Sequence, residues 1–307
     1  MLDLLIIGGG PAGTAAGVYA ARKKLKTVLI TSEFGGQSTV SLDIQNWIGT
    51  PHISGPDMAK AFESHLREYA EDVLEIVTKK RIVSVEKKVD RIVASAKDGT
   101  TWEARALLIA TGADRRKLAV PGAEKYEHKG VTYCASCDGP LFSGRDVVVI
   151  GGGNAGFETA AQLLAYTKSV TLLEYNDSFK AEPITIEKVL ANENMSAVTQ
   201  AELLEITGEA MVTSVRYRNR ATDEEVNLPT GGVFVEIGLL PNTDLVSEVV
   251  ELDPINRIVV NPKNQRTSVT GIWAAGDCTD ELYHQNNIAC GDGVKALEDI
   301  YVYLKTQ

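Results

Sequence analysis

The fold is decided by the stretch Leu4–Gly13, which reads LLIIGGGPAG. Its four apolar residues predict a short buried strand, and glycines at positions 8, 10 and 13 allow a tight turn with close packing behind it. The next segment, Thr14–Arg22, is rich in alanine and other small residues, as in a helix packed tightly on a sheet. Thr27–Ile30 is apolar again and predicts a second, parallel strand. The sequence therefore opens with a strand–helix–strand unit of about 30 residues.

The same pattern returns halfway along the chain. A strand is predicted at Asp146–Ile150, followed by the turn Gly151–Gly156 (GGGNAG), a helix at Phe157–Ala165 and a strand at Val170–Leu173. A pyrophosphate needs backbone N–H groups at a helix N-terminus with no side chain in the way, which such turns provide. For the first turn, a glycine turn without a ligand is the alternative, but this turn lies between a strand and a small-residue helix. We predict an α/β protein with two dinucleotide-binding domains.

Four further segments carry secondary-structure signals. Alternating patterns predict antiparallel strands at Ile82–Val93 and Val212–Tyr217. Ile272–Asp277 reads as a third strand leading into a turn, and Val294–Leu304 as a closing helix. Domain edges are expected near residues 112–121 and near residues 238–242.

The composition excludes several classes of protein. The chain has 307 residues, 44% hydrophobic and 23% charged, which suits a globular protein of two domains. Its net charge of −10 argues against general binding to nucleic acid or anionic membranes. The apolar start ends in glycines after a few residues, unlike a signal peptide, and no apolar run approaches the ~20 residues of a membrane helix. We expect a cytoplasmic location.

The chemistry is expected at Cys134–Cys137, a CxxC pair. Such a pair is either a redox disulfide or half of a zinc site. A structural zinc site usually has four ligands, and the sequence has no second CxxC and no close pair of histidines, so we expect no metal. Asp138 follows the pair and is placed to move protons during thiol exchange; a helix cap or turn is its alternative role.

The other two cysteines are Cys278 and Cys290. No spacing motif supports a second redox pair, so we expect buried, inert thiols.

With these motifs, the chain resembles the low-molecular-weight thioredoxin reductases and, more closely, the reductase portion of the flavoprotein component of alkyl hydroperoxide reductase. The resemblance covers essentially the whole chain. Its most specific feature is a cysteine pair just before the second glycine turn. The motifs that carry it are Gly8–Gly13, Gly35–Gln37, Ala110–Ala113, Cys134–Gly139, Gly151–Gly156 and Ala274–Asp277.

The resemblance implies two Rossmann-like, three-layer ββα domains. An FAD-binding domain, residues 1–114 and 241–307, would be split by an inserted NAD(P)H-binding domain, residues 115–240, which carries the cysteine pair. It also implies a homodimer.

Particular residues are implied for each role. Cys134, Cys137 and Asp138 would be catalytic. The flavin-binding residues would be Gly8, Gly10, Pro11, Ala12, Gly13, Thr31, Glu33, Gly36, Gln37, Asn46, Thr111, Gly112, Gly276, Asp277, Gln285 and Asn286. The nicotinamide cofactor would be bound by Gly151, Gly153, Asn154, Ala155, Gly156, Glu174 and Tyr175. For Gln37 and Asn46 the alternative is an ordinary polar loop residue, and for Glu33 a solvated loop charge.

The choice of nicotinamide depends on Glu174, which ends a predicted strand about 20 residues after the second glycine turn. A carboxylate there suits a free ribose 2′-OH and repels a 2′-phosphate. NADPH-using thioredoxin reductases place a His-Arg-Arg run where this chain has Glu174, Tyr175 and Asn176. Lys180 is the only cation nearby in sequence. We therefore predict NADH over NADPH; a solvent-facing strand-end charge is the alternative for Glu174.

The implied activity is a flow of electrons from nicotinamide through FAD to the cysteine pair, and on to a thioredoxin-like or glutaredoxin-like protein. The peroxide-reductase flavoproteins carry an extra N-terminal module with its own cysteine pair. We expect no such module in this protein, and therefore expect the relay to be a separate protein. The alternatives are a flavin dithiol oxidase, a reductase with a non-nicotinamide donor, and a non-catalytic FAD-binding redox sensor.

Overall fold

The structure is a computed structural model that describes residues 1–41 and 43–306. The strands are β1 Leu2–Gly9, β2 Thr27–Phe34, β3 Leu74–Val77, β4 Ile82–Lys87, β5 Ile92–Ala96, β6 Thr101–Ile109, β7 Ala113–Arg115, β8 Val131–Thr132, β9 Asp146–Ile150, β10 Ser169–Leu173, β11 Met195–Val198, β12 Ala201–Gly208, β13 Val212–Asn219, β14 Glu224–Pro229, β15 Gly232–Val235, β16 Leu239–Pro241 and β17 Ile272–Ala274. The α-helices are α1 Pro11–Arg22, α2 Gly55–Ala70, α3 Ala135–Asp138, α4 Asn154–Leu163, α5 Pro183–Leu190 and α6 Asn286–Thr306. Short 3₁₀ turns cover Gly36–Val40, Gly139–Phe142 and Asp244–Val246.

The chain divides into two compact units. The first comprises Met1–Asp43, Trp47–Asp114 and Leu240–Gln307. The second comprises Ile44–Asn46 and Arg115–Leu239. At the two places where the chain changes unit near residues 114 and 240, β7 and β16 pair in a two-stranded ribbon.

The first unit is built on a sheet in the order β3-β2-β1-β6-β5-β4, with β17 also paired to β6. Strand β1 is parallel to both of its neighbours, β2 and β6. Its side chains alternate between two cores: Leu4 and Ile6 pack with the residues of α1 and α6, whereas Leu5 and Ile7 pack on the opposite face. This alternation is the period of two expected of a strand buried on both faces.

The second unit has three layers. Its five-stranded parallel sheet runs β11-β10-β9-β15-β8. Val147 and Val149 face α4, where Phe157 is fully buried. Val148 and Ile150 face the antiparallel sheet β12-β13-β14. The prediction of an α/β fold with Rossmann-like, three-layer domains is therefore confirmed.

Two predicted elements differ in extent. The stretch Ile82–Val93 is a hairpin rather than one strand, because the chain turns where the Lys88 N–H donates to Arg91 O at 2.8 Å. The closing helix begins at Asn286 rather than Val294. Glycines early in this stretch suggest a break, but Gly293 lies so close to α1 that an added Cβ would fall 2.2 Å from Ala12 O. Within residues 1–41 and 43–306, no helix is long and apolar enough to cross a membrane.

Candidate functional site

The first glycine turn joins β1 to α1. Gly8 has a φ of +120°, and a Cβ there would lie 2.0 Å from Ala110 O. A Cβ at Gly13 would lie 2.0 Å from Gly8 O, so only glycine allows the helix to approach. Gly10, the N-cap of α1, has open space where its Cβ would be, and Pro11 supplies the fixed φ favoured at a helix start. These residues fit a pyrophosphate, which needs unobstructed N–H groups at this point.

The two ribose candidates of the first unit differ in exposure. Thr31 is buried, and its hydroxyl donates to Glu33 O at 2.5 Å. The Glu33 side chain is exposed. The Thr31 hydroxyl is thus engaged inside its own strand, and which of the two would meet a ribose stays a prediction.

Two predicted flavin residues make hydrogen bonds in the loops that follow β2 and β6, the strands on either side of β1. The Gln37 side-chain amide donates to Ala113 O. The Thr111 hydroxyl, just after β6, donates to Asn242 O at 2.7 Å. Gly36 and Gly112 both have positive φ, so these loops need glycine.

The remaining candidates lie after β17 and at the start of α6. Gly276 has a φ of +77° and packs against Ala12, 3.3 Å from an added Cβ. The Asn286 side-chain oxygen accepts from the Ser38 hydroxyl at 2.8 Å. The carboxyl ends of β1, β6 and β17 therefore carry Gly8, Thr111 and Gly276–Asp277 along one edge of the sheet. Gln285 directly precedes α6. Asn46 belongs to the second unit, and its contact with flavin stays a prediction.

The second glycine turn joins β9 to α4. Gly151 has a φ of +116°, and its added Cβ would lie 2.3 Å from Glu236 O. A Cβ at Gly156 would lie 1.8 Å from Gly151 O, whereas Gly153, the N-cap of α4, faces open space. This turn fits a second pyrophosphate by the same test. Beyond it, the Asn154 side-chain oxygen accepts from Glu182 N at 2.8 Å, and Ala155 is exposed on the first turn of α4.

Glu174 contacts this turn and is not a solvent-facing charge, so the alternative proposed for it is wrong. Its side chain is only 7% exposed. One carboxylate oxygen accepts from Gly152 N at 2.6 Å, and the other accepts from Asn176 N at 2.8 Å. The carboxylate therefore lies against the glycine turn, at the end of β10.

Sequence reasoning missed Arg220, which lies beside Tyr175. Its guanidinium carbon is 4.1 Å from the centre of the Tyr175 ring, and it donates to Tyr175 O at 3.0 Å. The prediction that Lys180 is the only nearby cation is thus wrong, because Arg220 lies beside Tyr175 in the folded chain. Arg220 comes from the turn between β13 and β14, and only the three-dimensional position of that hairpin reveals its proximity.

Sequence reasoning also missed Glu236, which follows β15. Its N–H donates to Ile150 O at 2.8 Å, and its carboxylate accepts from the Thr159 hydroxyl at 2.8 Å. Burial raises the pKa of the Glu236 carboxyl to about 7. The bond from Thr159 and the charge of Arg115 act in the opposite direction, while the charge of Glu158 adds to the rise in pKa.

The cysteine pair lies in the second unit. Cys134 and Cys137 form a disulfide with their Cα atoms 5.3 Å apart. Cys134 is the N-cap of α3, where its sulfur accepts from Cys137 N at 3.1 Å. Asp138 therefore does not cap this helix; its carboxylate accepts from the Thr132 hydroxyl, and its N–H donates to Cys134 O at 3.0 Å. A half-buried carboxylate is thus held beside the disulfide.

Cys278 and Cys290 are unpaired. Burial raises the pKa of both thiols to about 11, which leaves little reactive thiolate near neutral pH. The described part of the chain holds no group of three or more His, Cys, Asp or Glu side chains suited to a metal ion.

Comparisons with known proteins agree with this geometry. Residues 2–293 match the family model described as pyridine nucleotide-disulphide oxidoreductase. The chain is 40% identical over 302 residues to a Bacillus subtilis protein named NADH dehydrogenase. It is also 40% identical over 305 residues to a component of the alkyl hydroperoxide reductase of Escherichia coli. Each match covers 98% of this chain and 58% of the relative.

Among solved structures, the thioredoxin reductase of Streptococcus pyogenes is 35% identical with a TM-score of 0.91. That match covers 100% of this chain and 99% of the solved one.

Proposed function

Because this chain belongs to the pyridine nucleotide-disulphide oxidoreductase family, we propose that it is an FAD-dependent NAD(P)H:disulfide oxidoreductase of the thioredoxin-reductase type. The observation that carries the proposal is the Cys134–Cys137 disulfide, which shares a unit with one of two matching glycine turns. We assign FAD to the first unit and the nicotinamide cofactor to the second.

When bound, the two cofactors supply the electron pair that opens the Cys134–Cys137 disulfide. The glycine turns would hold the cofactors, because N–H groups at the N-termini of α1 and α4 can donate to their phosphates. Asp138, held by Thr132, is positioned to deliver or accept the proton that accompanies each change of a cysteine sulfur between thiol and thiolate.

The reduced pair then reduces a partner by thiol exchange. One cysteine thiolate attacks a sulfur of the partner disulfide, forms a mixed disulfide and releases one partner thiolate. The second cysteine attacks the mixed disulfide, so that Cys134 and Cys137 close again and the partner leaves as a dithiol. The electron pair has moved from this chain to the partner, and both partner thiolates end as thiols by taking up protons.

We propose a thioredoxin-like or glutaredoxin-like protein as the partner and a homodimer as the assembly. The redox pair itself supports the first proposal, because thiol exchange requires a partner disulfide. The chain spans 58% of the length of the curated relatives that it matches, and those relatives carry chain beyond the part shared here.

We further propose that NADH is preferred over NADPH. The Glu174 carboxylate lies against the glycine turn, where it suits a ribose 2′-OH and repels a 2′-phosphate. Arg220 acts against this preference, because its guanidinium adds a positive charge beside Tyr175. We expect the carboxylate to dominate, since it is buried and held by Gly152 N, whereas Arg220 is exposed to solvent screening.

The test is an anaerobic titration of the flavin-loaded protein with NADH and with NADPH, followed by flavin absorbance. We expect NADH to bleach the flavin at a concentration at least tenfold lower. In Cys137→Ser, bleaching by NADH should persist, while turnover of a thioredoxin-like disulfide should fall to background. The matched control is Cys290→Ser, which changes an unpaired thiol and should keep turnover.

Disulfide turnover retained by Cys137→Ser would refute the relay. Bleaching by neither nicotinamide would instead favour an oxidase or a reductase with another donor. Bleaching of the flavin at a lower concentration of NADPH than of NADH would contradict only the role proposed for Glu174.

A further inference from the structure

Glu236 stands at the point where the order of the parallel sheet reverses. From β9 the chain builds outward through β10 and β11 on one side, whereas β15 and β8 lie on the other side. Glu236 is the residue directly after β15, and its N–H donates to Ile150 O at the end of β9. Open α/β sheets bind ligands in the crevice outside the strand ends at such a reversal. Glu236 therefore forms part of the wall of the crevice beside the second glycine turn.

The fold itself does not require a carboxyl group here. The equivalent position in the first unit is Ala110, whose N–H donates to Ile7 O at the same 2.8 Å. Its carbonyl opposes Gly8 as that of Glu236 opposes Gly151. Because an alanine meets the same backbone demands, the Glu236 side chain needs another explanation.

The surroundings of this carboxyl are unfavourable for a charge. Within residues 1–41 and 43–306, its one hydrogen bond comes from the Thr159 hydroxyl at 2.8 Å. The charged groups acting on it are Glu158 of α4, which repels it, and Arg115 of β7, which attracts it. Burial of a carboxyl with one hydrogen bond is costly, and such groups cluster at ligand sites.

Two glutamates flank the second glycine turn from opposite sides. Glu174 directly follows β10 and contacts the turn through Gly152 N. An acidic residue about 20 positions after the glycines marks the side of the adenosine ribose. A dinucleotide with its pyrophosphate at the N-terminus of α4 places its other nucleoside on the opposite side, toward β15. We propose that Glu236 binds the nicotinamide carboxamide of the cofactor, a role that rests on the function proposed above. The NH₂ group of a carboxamide can donate a hydrogen bond to an ionised carboxylate, and its C=O group can accept one from a protonated carboxyl.

Calorimetric binding of NAD⁺ and of ADP-ribose to the flavin-loaded protein tests this role. ADP-ribose has the adenosine, the pyrophosphate and a ribose, but no nicotinamide. In Glu236→Ala we expect NAD⁺ to bind about tenfold more weakly, the usual effect of losing a hydrogen bond to a charged group, with ADP-ribose unchanged. In Glu236→Gln, the new amide can still donate and accept hydrogen bonds, so NAD⁺ affinity should stay within about threefold of the wild-type value. Wild-type affinity should depend on pH between about pH 6 and 8, and that dependence should be absent in Glu236→Gln.

Thr159→Val provides the matched control, because it keeps the carboxyl and removes only its hydrogen-bond partner. We expect its discrimination between the two ligands to match wild type. An equal loss of NAD⁺ and ADP-ribose in Glu236→Ala, or no loss of either, would overturn the proposal while leaving the proposed function intact. Failure of both ligands to bind wild-type protein would overturn the proposed nicotinamide use and this role with it.

Discussion

The two glycine turns have nearly the same backbone in two different settings. Gly8 and Gly151 have φ angles of +120° and +116°. The N-caps Gly10 and Gly153 are extended, with ψ of −172° and −176°, and both face open space. The proposed phosphate cradle therefore depends on one backbone conformation that occurs twice in the chain.

The settings differ at the ends of the strands on either side. The first turn is flanked by Thr31 and Ala110, which are neutral, and the second by the carboxylates of Glu174 and Glu236. Under the proposed function, the glycines set where a dinucleotide phosphate lies, and the residues at the flanking strand ends set which nucleotide is accepted. Substitutions can separate these two contributions.

The largest effect is expected from Gly156→Ala and its equivalent Gly13→Ala. Each new methyl group would meet a backbone oxygen within about 2 Å, so the helix must move away from the turn. We expect Gly156→Ala to keep its FAD and to lose at least 100-fold in kcat/KM for NADH. Gly13→Ala should instead be purified without flavin. Flavin absorbance and stopped-flow reduction measure both.

The control for this pair is Gly153→Ala, whose methyl group would enter open space. Its melting temperature should stay within about 2 °C of wild type, because little in the fold is disturbed. Loss of flavin from Gly156→Ala would show that the two cradles are not independent.

An intermediate effect is expected from Glu236→Gln on stability. Burial raises the pKa of Glu236 from 4.5 to about 7 in the folded protein, so the ionised form is disfavoured there. Wild type should gain nothing from this group at high pH and become more stable, by at most about 3 kcal/mol, as the pH falls from about 8 to 4.5. Glu236→Gln should lack that slope, as measured by denaturant unfolding at each pH.

The exposed neighbour Glu158 provides the comparison for that slope. Glu158→Gln removes one repulsive charge and should leave most of the slope in place. Equal slopes for wild type and Glu236→Gln would mean that the carboxyl is as well solvated when folded as when unfolded.

The smallest effect is expected from Arg220→Ala. The guanidinium beside Tyr175 is the cation best placed to offset Glu174 when a 2′-phosphate approaches. We expect a further two- to fivefold loss in kcat/KM for NADPH and little change for NADH, because an exposed charge is worth less than about 1 kcal/mol. Arg218→Ala is the matched control, since Arg218 lies in the same hairpin and pairs with Glu225. Equal losses of kcat/KM for NADPH in both variants would show that any positive charge in this hairpin contributes, and that the position of Arg220 beside Tyr175 is not special.

The local sequence pattern was sufficient to predict the strands and helices on either side of the two glycine turns. Apolar runs followed by glycines predicted β1 and β9, and small residues predicted α1, because strand and helix periods leave distinct marks over a few residues. The disulfide was predicted from the spacing of Cys134 and Cys137, together with the lack of a second CxxC or a close pair of histidines in the sequence.

What the sequence did not predict depends on contacts between distant segments. Glu236 reaches the second turn from the end of β15, and Arg220 reaches Tyr175 from the hairpin of β13 and β14. Neither residue belongs to a sequence motif. The start of α6 at Asn286 was not predicted for the same reason. Gly293 is required by the close approach of the helix to Ala12, which the neighbouring residues in sequence do not reveal.

The discontinuity of the first unit has a consequence for synthesis. Its sheet needs β17, and its helix-side core needs Leu297 and Ile300 of α6, yet almost the whole second unit, Arg115–Leu239, is translated before them. At about 5–20 residues per second, the ribosome spends on the order of ten seconds on that stretch. During that time, the edge of β6 that pairs with β17 and the apolar face of the sheet that packs against α6 stay uncovered. The first unit is thus begun before the second unit and completed after it.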